Sequence, residues 1–116
     1  MKQLEMIVQS KGFTYEIIER SEFNAIQSQK CQDSGELVAY EVFRIKKNPD
    51  RVLHGVKMAA SESRPNDNAF GVSAWCYAVF SSDGTNALAK AKAKFAELEA
   101  AQAERERLER EKNLAA

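Results

Sequence analysis

The sequence predicts an α+β fold, an antiparallel β-meander of three to five strands packed against one long C-terminal helix. Three observations carry it. Segments that alternate apolar and polar residues occupy 13–47, a run rich in aromatics spans 70–80, and from Ala87 onward almost every residue favours helix, with no Gly or Pro. Phe70, Trp75, Tyr77 and Phe80 can each bury about 150–250 Å². The core is therefore expected around them, with Trp75 inside it and Gly71 turning the chain in beneath the helix.

Met1 to Val8 holds Leu4, Met6, Ile7 and Val8 without a clean period, which fits a short edge strand or an ordered arm, and Lys11-Gly12 marks a turn. In FTYEIIER (13–20), Phe13, Tyr15 and Ile17 share one face while Thr14, Glu16 and Ile18 share the other, the pattern of a half-buried strand. SEFNAIQSQ, from Ser21, is a weaker second strand. KCQDSGE (30–36) suits a hairpin loop in which Gly35 supplies the positive φ. LVAYEVFRIKK (37–47) is the strongest strand, apolar on both faces near its middle, as a central strand should be. Asn48-Pro49-Asp50 then turns the chain, VLHGVKMAA (52–60) reads as the next strand, weakened or bulged at Gly55, and SESRPNDN (61–68) as a loop fixed by Pro65.

Ser81 to Asn86 is a cluster of turn formers in which Asp83, Thr85 and Asn86 are candidate helix caps. In the helix, Leu88, Ala91, Phe95 and Leu98 recur at spacings of three and four and form one apolar face. Beyond Glu99 that stripe stops. Leu108 and Leu114 stand isolated among charges, and pairs such as Glu106 with Arg110 support a helix by only about 0.2–0.5 kcal/mol each. Residues 1–98 are therefore expected to form the single domain, and 99–116 a charged helical extension that folding does not need.

At 116 residues the chain has room for one core of moderate size, and its 17 Lys and Arg balance its 17 Asp and Glu. No net field draws it to nucleic acid or to an acidic membrane. No stretch approaches the roughly 20 apolar residues that span a bilayer, and the first residues lack an apolar run of signal-peptide length, so a cytoplasmic protein without membrane contact is expected. Cys31 and Cys76 lie far apart, neither at metal-ligand spacing from another cysteine, and His54 alone cannot complete a zinc site, so both are read as free thiols and no metal or cofactor is expected.

The chain shows no phosphate-binding glycine loop, no paired histidines and no glycine-flanked serine nucleophile. Cys76 with His54 is the one conceivable thiol and base. Between Trp75 and Tyr77 the cysteine reads as a small buried hydrophobe, and beside Gly55 the histidine reads as a strand residue. A non-enzymatic protein follows. Two binding surfaces offer themselves. The extension could grip a protein partner, or a second copy, through Leu108 and Leu114 with Arg105 and Arg110. Alternatively, Arg44, Lys46, Lys47, Arg51 and Lys57, near Arg64 and with Tyr40 on the face of Arg44 and Lys46, could hold nucleic acid.

Phe13-Thr14-Tyr15-Glu16, Ala25-Ile26, Tyr40-Glu41-Val42-Phe43-Arg44-Ile45, Phe70-Gly71 and Ala74-Trp75-Cys76-Tyr77 before a helix together resemble small proteins encoded by phages and mobile elements, over roughly residues 13–98. The resemblance brings no catalytic residues. It implies an accessory protein that works in the host cytoplasm by binding, as an anti-defence inhibitor of a host enzyme or defence complex, or as a small nucleic-acid binder.

Overall fold

The computed structural model describes residues 2–66, 69–79 and 86–115. A five-stranded antiparallel sheet runs in the order β1 (Ile7–Ser10), β2 (Phe13–Arg20), β3 (Asn24–Cys31), β4 (Leu37–Arg44) and β9 (Ala74–Ala78), and one helix, α1 (Ala87–Ala115), packs across one of its faces. This is the α+β meander with a terminal helix that the sequence predicts. Between β4 and β9 the chain makes an excursion of two small ribbons, β5 (Lys46–Asn48) with β8 (Ser61–Ser63) and β6 (Arg51–Leu53) with β7 (Val56–Met58).

Both sheet faces are covered, by different means. On one face Ile26 and Val42 meet Ala91 and Leu98 of the helix, flanked by Tyr40, Trp75, Tyr77 and Phe95. Leu88 is half-buried on the same stripe. On the other face Ile17, Ala25, Phe43, Ile45 and Ala74 form a second cluster, closed by Leu4 and Ala69. β3 lies between the two clusters, which is why Asn24 through Ser28 are all buried and why this strand, polar in sequence, holds the middle of the sheet. Its two buried amides are hydrogen-bonded. Gln27 Nε2 donates to Glu41 Oε1 at 2.7 Å, Arg64 Nε donates to Gln27 Oε1 at 2.8 Å, and Asn24 Nδ2 donates to Glu99 Oε1 of the helix at 3.1 Å.

Several elements differ from the sequence expectation. VLHGVKMAA is a hairpin, with β6 folded back on β7 about His54 and Gly55 at φ of 51° and 79°. Two consecutive residues at positive φ match the right-handed twist of the flanking strands, so Gly55 is the turn itself and His54 a turn residue. Lys11 and Gly12, at 53° and 84°, turn β1 into β2 in the same way. Ser61–Ser63, expected in a loop, pairs with β5, and Lys2 bridges in parallel to Ser61 beside it. Phe70, expected in the core, is 39% exposed; Cys76 reaches the surface because β9 turns Trp75 and Tyr77 toward the helix and the cysteine the opposite way. Trp75 is half-buried. Phe80 and the caps Asp83 and Thr85 lie outside the described residues. Gly35 does take positive φ, at 73°.

The helix is unbroken for 29 residues, about 43 Å at 1.5 Å per residue. Glu99 ties it to the β2–β3 connection through Asn24 and through Ser21 Oγ, and Gln102, Ala103 and Glu106 still face Ser21, Glu22 and Phe23. Past Glu106 every described residue is exposed. A radius of gyration of 16.6 Å, against about 13 Å for a compact chain of this length, reflects the excursion and the free helix end.

Candidate docking arm

The excursion is one ribbon in two parts. Its base, β5 and β8, is held to the body by Glu62, whose side chain is only 4% exposed. Glu62 accepts from Arg20 Nη1 at 2.8 Å, from Arg20 Nη2 at 3.0 Å, from the Leu4 amide at 3.1 Å and from Lys47 Nζ. Arg20's guanidinium is the main reason that the Glu62 carboxyl is lowered to about 2, with Lys47 and the Leu4 amide adding to it against the cost of burial. The N-terminal segment flanks the base, Lys2 N donating to Ala60 O at 3.0 Å and Glu62 N to Lys2 O at 2.8 Å. Pro49 interrupts the ribbon, and Asp50 Oδ1 bridges the gap by accepting from the Ala60 amide at 2.5 Å.

Beyond this joint the tip stands clear of the body. All residues of β6 and β7 are exposed, among them Val52 at 66%, Leu53 at 48%, Val56 at 60% and Met58 at 40%. The register pairs Arg51 with Met58 and Leu53 with Val56, which puts these four on one face of the ribbon, while Val52 and Lys57 pair on the other. One face of the tip is therefore apolar with Arg51 at its base, and the other pairs an apolar residue with a cation.

Charge is unevenly distributed. Residues 44–64 carry six cations (Arg44, Lys46, Lys47, Arg51, Lys57 and Arg64) and two acids (Asp50 and Glu62), a net +4. The remaining eleven cations and fifteen acids leave −4 for the rest of the neutral chain.

Of the nucleic-acid candidates, the structure brings Lys46, Arg51 and Lys57 onto this excursion with exposed side chains, and Arg44 stands exposed where it begins. Lys47 is spent on Glu62, its Nζ also 5.5 Å from the centroid of the Phe23 ring. Tyr40 packs in the helix-facing cluster, so the helix covers the face on which it was expected to stack bases. Of the tail residues, Leu108 is 51% and Leu114 86% exposed. Six residues apart on a helix, they point about 120° away from each other and share no face. Arg105 donates to Gln102 Oε1 at 2.6 Å, and Arg110 is exposed. Sequence reasoning missed Leu53, Val56 and Met58. The available signal was His54-Gly55 between two short apolar runs, the same X-Gly pattern as Lys11-Gly12.

Cys76 and His54 lie on different elements, β9 and the arm's tip. Burial, with the Glu41 charge behind it, pushes the Cys76 thiol above its ordinary value, which works against a thiolate nucleophile. Among the described residues no three metal-binding side chains gather, and no helix is long and apolar enough to cross a membrane. Compared with family models, with curated proteins and with solved structures, the chain matches none.

Proposed function

We propose that this chain is a non-enzymatic binding protein, of phage or mobile-element origin, that seats its β6–β7 tip in an apolar, acid-rimmed cleft of a host protein and so inhibits or redirects that protein. One observation carries this: a hairpin with four exposed apolar side chains, held out from the body on a clamped base. Scattered exposed apolar residues are ordinary, but Leu53, Val56 and Met58 side by side on one face with Arg51 have the composition of an interface centre. An isolated two-stranded hairpin is marginal in water, so docking also supplies the packing that the tip lacks in the free protein.

The test is affinity capture from host cytosol after nuclease treatment, comparing the natural chain with Leu53→Glu/Val56→Glu, followed by a binding measurement between the purified chain and the captured protein. The expected result is a binary complex lost in the variant. Identical capture by both forms, or turnover of a nucleotide, peptide or nucleic acid that disappears on replacing Cys76 or His54, would overturn it.

A second reading, a nucleic-acid arm, is favoured by the +4 of residues 44–64 alone. A two-stranded ribbon fits the major groove. Binding would then fall with salt at a log-log slope of about −0.9 per phosphate contact on duplex DNA, and Lys46→Glu with Arg51→Glu would abolish it.

A further inference from the structure

A second apolar patch lies on the sheet, on the face that the helix covers only in part. The helix packs over β3, β4 and β9, and β1 and β2 extend past it. Ile7 pairs with Glu16 across β1 and β2, and Ile18 is the extra residue of a bulge whose next residue, Glu19, lies opposite the helix-facing Ile26. Ile7, Glu16, Ile18 and Glu19 thus project from the same side. Ile7 is 55% and Ile18 45% exposed, and both glutamates are exposed. One face of the arm's tip presents the converse, Leu53, Val56 and Met58 with Arg51. Apolar centres match, and the flanking charges are opposite.

We infer that the occupant of the arm in the free protein is a second copy of this chain: the tip of one protomer seats on the Ile7–Ile18 patch of the other, and the reverse contact closes a two-fold dimer. The inference rests on the arm's being a docking element and adds what covers it before a target arrives. Tip and patch are different surfaces, so a single contact is heterologous and would propagate into a chain unless it closes. Reciprocal exchange closes it and doubles the area buried, and a specific interface needs about 1,000 Å² in total. Charged margins set the pairing and the encounter rate, while the apolar centres hold the complex. A host target must then offer a surface like this patch, apolar with flanking carboxylates, and must displace the second copy.

Sedimentation velocity of the full chain from micromolar to near-millimolar concentration tests it. The natural protein should dimerise with rising concentration, less so at high salt. Arg51→Glu, with the docking face of the tip and the patch both acidic, should be monomeric, and so should Glu16→Arg/Glu19→Arg, with both surfaces basic. An equimolar mixture should form a heterodimer, because both of its contacts again pair opposite charges. Arg51, Glu16 and Glu19 are all exposed, and circular dichroism checks that both variants fold. A natural chain monomeric at every concentration, open-ended oligomers, or a folded mixture that stays monomeric would overturn the inference. A monomer whose target capture is still lost in Leu53→Glu/Val56→Glu would sink the dimer alone, whereas a dimer whose target capture ignores the arm would sink the functional proposal alone.

Discussion

The ammonium of Lys94 sits 4.1 Å from the centroid of the Trp75 ring, capping on the helix side the aromatic edge of the sheet. Lys94 also reaches Glu97 Oε1 at 3.2 Å, but Glu97 is exposed and that pair adds little. The ring contact is the stronger of the two, on the order of 0.5–1 kcal/mol for a partly exposed site. Lys94→Gln is therefore expected to lower the midpoint of thermal unfolding by a few degrees and to alter the emission of the single tryptophan in the folded state. Unchanged emission would place the ammonium elsewhere.

Glu62 gives the arm's base an acid limit. Its folded value of about 2 lies below the ordinary 4.5, so its contribution is complete above about pH 4.5 and is lost as the pH falls toward 2. The shift sets an upper bound of about 3 kcal/mol. Glu62→Gln should lower stability at neutral pH, and the gap between variant and natural chain should narrow steadily under acid titration below pH 4.5. A gap that stays constant would show that the clamp is not electrostatic.

The helix should divide at Glu106. Every described residue that ending the chain there removes is exposed, and the thermal midpoint should move by no more than a degree or two. Glu99→Ala should cost about 1–3 kcal/mol, because Asn24, 2% exposed, keeps a buried amide without its acceptor. Chemical denaturation of the two variants separates the cases, and a tail deletion more harmful than Glu99→Ala would contradict this division.

The two thiols should react in the order opposite to their exposure. Cys76 is the more exposed, but burial of the sulfur and the Glu41 charge raise its value, while the Ser34 hydroxyl, with the Ser34 and Asp33 amides, lowers that of Cys31. Because the thiolate is the nucleophile, iodoacetamide near neutral pH should alkylate Cys31 several-fold faster. Peptide mapping over time reads this directly, and faster loss of Cys76 would refute it.

The sheet and helix were legible because each obeys a single period. Phe13, Tyr15 and Ile17 alternate, and Leu88, Ala91, Phe95 and Leu98 recur by helical turns, so one covered face suffices to reveal them. β3 was less legible, since a strand buried on both sides loses its alternation, and Asn24 and Gln27 enter the interior on hydrogen bonds to Glu99 and Glu41, residues distant in sequence. The arm hid for the converse reason. Val52, Leu53, Val56 and Met58 look like core residues in sequence, and only the positive φ at both His54 and Gly55 folds them away from the core. Cationic residues of the excursion were recognisable as a group, but Lys47 could not be assigned to Glu62 nor Tyr40 to the helix without the packing.

The opposition of +4 on residues 44–64 to −4 on the rest gives a molecule with no monopole and a permanent dipole. A distant charged surface exerts little pull on such a body but does exert a torque. Near an acidic surface it rotates until the arm leads, and near a basic one until the arm trails, before any atoms touch. An isoelectric point near 6.6 describes the whole chain and misses this. Orientation, rather than attraction, is what the charge arrangement provides, and it shortens the search over angles that a narrow hairpin would otherwise have to make by chance.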